Sequence, residues 1–293
     1  MSDIPRHVGI VQSQLAFVAV ANYLLKEWLK GMRLVLRISP MVAHHREYGE
    51  MFARAVADLI HDGHFVTVIH GQSGIVQHFA TLHINGVGNR NQHSACSDST
   101  VTLERENRAI VAFLAEAHVP GIGLHATDAG LVQLRKQYFG KNQAEFKVEA
   151  ARLHSRWLEI ICCNKGVPVL SNLAFWLGGE NYLIDPDHMA ALCAADWNAD
   201  ALIYLTKESG VPGEDGSIVR WLDLGSDDSL KTAILSKEMR GCLDACAMAL
   251  KRGVRRVRIL PLCNVDCLSS FYFSSTSYGT EVISAAPRTC VEL

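Results

Sequence analysis

Short apolar runs alternate with amphipathic stretches along most of the chain, and the two patterns have different periods. Runs of about four to eight residues rich in Val, Ile and Leu are typical of strands buried on both faces. Such runs occupy 33–38, 65–69, 121–124, 132–138, 167–170, 201–206 and 256–260. Helical spacing of apolar residues occupies 47–61, 107–117, 151–164, 187–197 and 239–251. This alternation predicts βαβ crossovers, and hence an α/β fold: a three-layer αβα sandwich with a central, mainly parallel sheet.

The N-terminal segment 15–29 is apolar enough to be compared with a membrane span. However, Asn22, Lys26 and Glu27 interrupt it, whereas a span needs about 18–20 predominantly apolar residues. The pattern therefore predicts an amphipathic helix in an N-terminal extension, 1–31, and no secretory signal. Residues 32–293 follow as one domain, since no clear linker or internal repeat interrupts the alternation.

The composition excludes several classes of partner. Hydrophobic residues make up 49% of the 293-residue chain and charged residues 20%, which is typical of a globular domain. The formal net charge is -2, so nothing indicates a nucleic acid or an anionic membrane as partner. Nine cysteines, an odd number, favour reduced thiols in the cytoplasm over a disulfide framework.

Sheets of this kind bind ligands at the carboxyl ends of their strands. The second predicted strand runs into the turn HGQSG at 70–74, where glycines let backbone N–H groups approach an anion. An ordinary strand-to-helix turn explains the same residues equally well. Farther along, Asp185 and Asp187 precede a predicted helix. Asp187 is either the helix N-cap or a carboxylate that orients cations around a transferred phosphate.

Three cations lie near predicted strand ends or helix starts, namely Arg37, Lys207 and Lys237. Phosphoryl transfer requires positive charge at the migrating group and little covalent chemistry from the protein. The alternative for each of the three is an ordinary surface side chain. The sequence therefore offers candidates for phosphate binding, but their positions alone do not select among them.

Cysteine pairs offer a different chemistry. Cys242 and Cys246 lie four residues apart, as do Cys263 and Cys267, and two pairs of thiolates can bind zinc. However, the first pair falls within an apolar helix, where cysteine commonly packs as a small hydrophobic residue. A metal site is therefore the weaker interpretation. The histidine pair at 44–45 has no partner at metal spacing and is interpreted as structural or exposed.

Six segments, taken in order, resemble motifs of the acetylglutamate kinase family, which is part of the amino acid kinase superfamily. They are LRISPMVAHHREYGEMFARAVADLIHDGHFVTVIHGQSG, GIGLHATDAGLVQLRK, GVPVLSN, YLIDPDHMAALCAADWNADALIYLTKESGV, SKEMRGCLDACAMALKRGVRRVRIL and SYGTEV. In turn they are similar to the family's opening unit with its glycine loop, its mid-chain hairpin, its central strand, its Asn-x-Asn-Ala-Asp helix and following strand, its Gly-Gly-Met-x-x-Lys helix and its terminal Gly-x-Gly-Thr. The resemblance covers most of the chain. It implies an acyl-amino-acid-binding half at about 32–178 and a nucleotide-binding half at about 179–293.

The resemblance also implies roles for individual residues. Arg37 and Asp187 match catalytic positions of the family, and Lys237 is a candidate for a second catalytic cation. The implied substrate-binding positions are His70, Gly71, Gln72, Arg90 and Asp185. The implied nucleotide-binding positions are Thr206, Lys207, Gly210 and Met239. The implied cosubstrate is ATP with Mg²⁺, and no resident metal ion is expected.

The phosphate-handling motifs depart from the family pattern at several positions. Where the family is implied to use two lysines at the transferred phosphoryl group, this chain has Arg37 and Cys242. Arginine keeps the charge with a different donor geometry, whereas cysteine supplies no cation. The Gly-Gly that follows the first lysine is Ser39-Pro40, and Pro40 has no N–H to donate. We therefore do not expect an unmodified family mechanism.

Two functions follow from the resemblance and stay open at this point. One is an ATP-dependent phosphotransferase that acts on the carboxylate of an N-acyl amino acid such as N-acetylglutamate, in arginine biosynthesis. The other is a non-catalytic subunit of the same fold that binds an amino acid or regulates a partner enzyme. The segment 15–31 resembles the extra helix of arginine-regulated members, which implies a homodimer or homohexamer. Packing of that helix on its own domain is the alternative.

Overall fold

The computed structural model describes residues 31–72, 90–139, 145–175, 181–213, 215–224, 235–263, 268 and 278–283. The expected N-terminal helix lies outside these ranges, and its role in oligomerisation stays a prediction, as does the division of the domain into two halves. None of the helices in the described ranges is both long enough and apolar enough to cross a membrane.

The described residues form twelve strands and six α-helices. The strands are β1 (Arg33–Ile38), β2 (Phe65–His70), β3 (Gly121–His125), β4 (Val132–Phe139), β5 (Glu145–Leu153), β6 (Val167–Ser171), β7 (Leu173–Phe175), β8 (Asn181–Leu183), β9 (Ala201–Thr206), β10 (Trp221–Asp223), β11 (Arg256–Pro261) and β12 (Thr280–Ile283). The helices are α1 (Met41–His44), α2 (Arg46–His61), α3 (Arg90–Glu116), α4 (Arg156–Cys163), α5 (Pro186–Asp196) and α6 (Lys237–Lys251). A 3₁₀ turn at Asp128–Gly130 precedes β4.

Eight strands form the main sheet, in the order β10-β12-β11-β9-β1-β2-β6-β3. Every neighbouring pair in it is parallel except β11 and β12. The pairs β4-β5 and β7-β8 are separate antiparallel ribbons. The chain first adds β2, β3 and β6 on one side of β1, and later adds β9, β10, β11 and β12 on the other side. This reversal leaves a crevice at the carboxyl ends of β1 and β9, where such sheets bind ligands.

Helices cover both faces of the main sheet, which confirms the predicted three-layer sandwich. Successive residues of a strand point to opposite faces, and the core divides accordingly. Leu34 and Leu36 pack with α2 and α3, whereas Val35 packs with α4, α5 and α6. Residues 189–194 of α5 are completely buried. Because this helix is enclosed on all sides, its first turn is held firmly at the crevice.

The seven predicted strands are confirmed to within one residue, but two predicted helices begin more than two residues away from the predicted start. The helix predicted at 151–164 is wrong at its beginning, because 151–153 complete β5 and α4 begins only at Arg156. The last residues of β5 pair with β4 through Leu153 and Val132, and this pairing overrides the helical spacing. The helix predicted at 107–117 begins earlier, at Arg90. The prediction missed this start because the polar stretch before 107 carries little helical periodicity.

Candidate active site

A cavity of about 420 Å³ opens at the carboxyl ends of β1 and β9, where the strand order reverses. A hydrogen bond joins the ends of these two strands: the N–H of Ser39, just after β1, donates to the carbonyl of Leu205 in β9 at 3.0 Å. Small-molecule sites commonly have volumes of roughly 300–1,000 Å³. The residues that line it are Arg37, Ser39, Pro40, Met41, His44, Gly71, Gln72, Asp187, Tyr204, Leu205, Thr206, Lys207, Glu208, Glu238, Met239 and Cys242. Both predicted halves of the chain therefore contribute to one cavity.

A buried ion pair between Arg37 and Asp187 forms part of the cavity wall. Arg37 Nε donates to Asp187 Oδ1 at 2.7 Å, and the two side chains are only 8% and 11% exposed. The same guanidinium donates to the carbonyl of Ile38 and, through Nη2, to the carbonyl of Gly71 at 3.3 Å. These contacts fix the orientation of the cation. The two residues implied to be catalytic thus lie in one site, and their catalytic roles stay predictions.

The first turn of α5 explains why the carboxylate of Asp187 faces Arg37. Asp185 is the N-cap of this helix, because its Oδ1 accepts hydrogen bonds from the N–H groups of Asp187 at 2.9 Å and the next residue at 3.0 Å. The alternative in which Asp187 caps the helix is therefore wrong. Tyr204 Oη also donates to the carbonyl of Asp187 at 3.2 Å, which ties the helix start to β9. Because Asp185 caps the helix, the carboxylate of Asp187 is available for the ion pair with Arg37 in the cavity wall.

The start of α6 contributes Glu238, Met239 and Cys242 to the lining. Ser236 caps this helix by accepting a hydrogen bond from the N–H of Met239 at 3.1 Å. A hydrogen bond with Cys246, together with burial, raises the pKa of the Cys242 thiol well above its usual range. The thiol is therefore protonated and uncharged at neutral pH. The second lysine of the family pattern has no cationic counterpart at this position.

The first cysteine pair packs as the hydrophobic interpretation predicts. Cys242 and Cys246 are buried in the core beneath α6, whereas Cys263 is exposed. Cys267 lies outside the described residues. Among the residues that the structure describes, no group of three or more His, Cys, Asp or Glu side chains is arranged to hold a metal ion.

The turn after β2 is shaped by close packing. Gly71 has a φ of +147°, and a Cβ at this position would approach Asn172 Oδ1 to 2.1 Å. Both the backbone conformation and the space therefore require glycine. Asn172 Nδ2 donates to the carbonyls of Gln72 at 3.3 Å and Ile184 at 2.7 Å. Asn172 thus holds Gly71 and Gln72 in the conformation in which they line the cavity.

His70 lies beneath this turn and is not among the lining residues. It is 1% exposed, and its Nε2 lies 2.9 Å from Asn107 Nδ2. Burial lowers the pKa of His70, although Glu106, 3.7 Å from Nδ1, acts in the opposite direction. The ring is therefore neutral and supports the turn from the protein interior. Its implied contact with substrate stays a prediction.

The other residues implied by the resemblance divide into two groups. Those in the lining are Thr206, Lys207 and Met239; those described but outside it are Asp185, Gly210 and Lys237. A Cβ at Gly210, where φ is +145°, would lie 2.6 Å from Ile218, so packing alone accounts for this glycine. The side chain of Arg90 lies outside the described residues. The roles of these residues as ligands stay predictions.

His44 and Glu106 are residues of the site to which no sequence signal pointed. His44 ends α1 and lines the cavity, and its Nε2 lies 2.9 Å from Oε1 of Glu106, a buried residue of α3. Of the two interpretations left open for the pair at 44–45, structural or exposed, the second describes His44, since its side chain is 51% exposed. Its position at the cavity depends on how α1 and α3 pack together. Spacing along the chain could not reveal this contact.

Comparisons with known proteins agree with the fold. The model of the amino acid kinase family matches residues 42–261. The acetylglutamate kinase of Acidobacterium capsulatum is 36% identical over 263 residues, which cover 87% of this chain and 100% of that enzyme. The acetylglutamate kinase of Koribacter versatilis is 32% identical over 263 residues, or 86% of this chain and 99% of that enzyme.

Solved structures share the same architecture. The N-acetylglutamate synthase of Neisseria gonorrhoeae, in complex with coenzyme A and N-acetyl-glutamate, has a TM-score of 0.74 at 19% identity; the match covers 92% of this chain and 64% of that chain. The isopentenyl phosphate kinase of T. acidophilum has a TM-score of 0.56 at 17% identity, with coverages of 86% and 100%. At these identities the likeness shows the fold alone. The family match and the two similar enzymes show that this chain belongs to the amino acid kinase family, within its acetylglutamate kinase group.

Proposed function

We propose that the protein is an ATP-dependent phosphotransferase that phosphorylates the carboxylate of an N-acyl amino acid such as N-acetylglutamate. The observation that carries the proposal is the buried Arg37–Asp187 pair in the wall of a cavity at the switch between β1 and β9. Membership of the family supports the phosphotransferase class, and the names of the two similar enzymes support the acceptor. Such a reaction would belong to arginine biosynthesis.

A carboxylate acceptor determines what the site has to supply. It is already ionised at neutral pH, so the reaction needs no general base to activate it. The site must instead bring two anions together and neutralise the group in transfer. Arg37 and Lys207 line the cavity, and the contact with Asp187 holds the guanidinium of Arg37 in one orientation. Cations that are oriented before the reaction lower its barrier more effectively than mobile ones.

The cavity lining also fits the Mg²⁺ that accompanies ATP in this family. Glu208 and Glu238 both line the cavity, and carboxylate oxygens together with phosphate oxygens are the ligands that Mg²⁺ prefers. These two residues would hold the ion beside the nucleotide, where it supplies further neutralisation of phosphate charge. We place the nucleotide next to β9 and α6, near Thr206, Lys207 and Met239.

The acyl amino acid then occupies the side of the cavity formed by the turn after β2. Gly71 and Gln72 line this part, and Asn172 holds their backbone in place from below. In this arrangement the acceptor carboxylate approaches the nucleotide beside Arg37, whose Nη2 contacts the carbonyl of Gly71. Arg90 remains our candidate for binding a second carboxylate of the substrate.

The proposal is tested with the purified full chain, Mg-ATP and N-acetylglutamate. We expect release of ADP and formation of a hydroxamate in the presence of hydroxylamine, which traps an acyl phosphate. The variant Arg37→Gln removes an oriented cation and should lower kcat roughly 10²–10³-fold. Arg54→Gln, at an exposed position of α2, is the matched control and should keep wild-type activity. Absence of ADP and hydroxamate with every member of a panel of N-acyl amino acids would contradict the proposal.

A further inference from the structure

A contact between His44 and Glu106 lies at the edge of the cavity and has no part in the chemistry derived above. His44 Nε2 lies 2.9 Å from Glu106 Oε1. The histidine side chain is 51% exposed, whereas the glutamate is only 2% exposed. A buried carboxylate of α3 therefore faces an imidazole that lines the cavity.

Glu106 has a carboxyl group enclosed in the protein interior. Within the described residues, neither of its carboxylate oxygens makes an aligned hydrogen bond, and a buried carboxylate without compensation is costly. Two rings face it, namely His44 and, with Nδ1 at 3.7 Å, His70. Burial lowers the pKa of His70, so that ring is neutral at pH 7. His44 is the nearer of the two rings to the carboxylate, and its side chain is half exposed to solvent.

The lining of the cavity is also short of positive charge. Among the described lining residues, Arg37 and Lys207 are the permanent cations, and they stand against three carboxylates: Asp187, Glu208 and Glu238. The lining is therefore net negative on its own. With Mg²⁺ held by Glu208 and Glu238, Arg37 and Lys207 would stand against Asp187, which leaves one surplus positive charge for a nucleotide that carries several negative ones. An imidazolium at the same cavity would correct this imbalance.

We propose that His44 is a catalytic residue of the phosphoryl transfer. As an imidazolium held through Nε2 by Glu106, it donates a hydrogen bond from Nδ1 to a phosphate oxygen of the nucleotide. During transfer the bond from the γ-phosphorus to the oxygen of ADP breaks and a bond to the acceptor carboxylate oxygen forms, while the proton of His44 stays on the ring. His44 thereby supplies a charge that Cys242 does not. Glu106 acts only through His44 and is a positioning residue. This inference rests on the proposed function.

The test compares His44→Gln and His44→Lys with the matched control His45→Gln. His45 is the adjacent exposed histidine, and it packs edge-on against Tyr48 instead of lining the cavity. Affinity for Mg-ATP is measured by titration calorimetry, and kcat by ADP release. Loss of a hydrogen bond to a charged group should lower the ratio kcat/Kd roughly 10–100-fold. The loss is divided between a higher Kd for Mg-ATP and a lower kcat. We expect this loss in His44→Gln, most of it recovered in His44→Lys, and none in His45→Gln.

The role of Glu106 is tested by combining Glu106→Gln with His44→Gln. A residue that acts only through His44 lowers activity when changed alone but causes no further loss in the His44→Gln background. An additional loss in the double variant would overturn the positioning role. The His44 variants alter an exposed side chain, so they keep the main claim testable even where Glu106→Gln does not fold. Thermal unfolding of each variant reports on folding.

The outcomes separate this inference from the function on which it rests. If the wild-type chain turns over ATP and His44→Gln equals His45→Gln in both Kd and kcat, the inference is overturned and the kinase function stands. If the wild-type chain neither binds nor turns over Mg-ATP, both are overturned. If Kd and kcat return towards wild type in His44→Lys but not in His44→Gln, the positive charge at this position is supported.

Discussion

At the scale of single residues, Arg37 and Asp187 combine two opposing energetic effects. Burying both charges costs several kcal/mol per ion in desolvation, and their mutual attraction offsets this only when the geometry is good. Here the geometry is good, since Nε and Oδ1 are 2.7 Å apart. Even so, apolar side chains of similar volume often give equal or greater stability at such positions. We therefore attribute the presence of the pair to its chemistry.

This view predicts that stability and activity respond differently to changes at the pair. Asp187→Ala leaves a buried guanidinium without its counterion and should lower the free energy of unfolding by about 3–5 kcal/mol. The double variant Arg37→Met/Asp187→Leu removes both charges and should regain most of that stability. Neither variant should release ADP. Urea denaturation followed by circular dichroism measures the stability. A double variant with wild-type activity, or one no more stable than Asp187→Ala, would contradict this view.

At the scale of elements, the starts of α5 and α6 bring polar groups to the cavity. Asp185 caps α5 through two backbone N–H groups, and Ser236 caps α6 through one. Each cap fixes the residues of the first turn, which include Asp187 in α5 and Met239 in α6. Capping therefore sets the geometry of the site, although neither capping residue is among those that line it.

Variants of Asp185 can separate capping from direct binding of substrate. Asp185→Ala should lower the free energy of unfolding by about 1 kcal/mol and also lower kcat, because the first turn that carries Asp187 loosens. Asp185→Asn keeps a side-chain acceptor and should keep both stability and activity. Asp200→Ala, which removes the carboxylate that accepts a hydrogen bond from the N–H of Arg33 at the opposite end of β1, is the control. Thermal unfolding and ADP release are the measurements. An inactive but stable Asp185→Asn would instead indicate the substrate contact that the family resemblance implies.

The same elements show how far sequence patterns could predict this fold. Five strands of the main sheet (β1, β2, β6, β9 and β11) were predictable because both of their faces are buried, which produces continuous apolar runs. The short strands β10 and β12 were not predicted. The start of α4 was not, because 151–153 obtain their structure from pairing with β4 and not from their own spacing. At the site, local sequence could not show which of Asp185 and Asp187 caps the helix. The contact between His44 and Glu106 depends on packing between two helices and left no local pattern.

At the scale of the whole molecule, the cavity joins segments that are far apart in sequence. The pair of Arg37 and Asp187 closes a separation of 150 residues, and the backbone contact from Ser39 to Leu205 joins the same two strand ends. A ligand in this cavity contacts both segments only when the domain is folded. Ligand binding should therefore stabilise the folded state as a whole.

Thermal unfolding with separate ligands then distinguishes the kinase from a non-catalytic binding subunit. At about 100 times its Kd, Mg-ATP should stabilise the chain by about 2.7 kcal/mol, or roughly 5–10 °C in Tm for a domain of this size. Mg²⁺ alone is the control. His44→Gln should shift less than wild type at the same nucleotide concentration, because its Kd is larger. A wild-type chain that responds to N-acetylglutamate or arginine but not to Mg-ATP would instead support the non-catalytic subunit. For a phosphotransferase whose two substrates share one cavity, we expect Mg-ATP and N-acetylglutamate each to raise Tm, and the two together to raise it more than either alone.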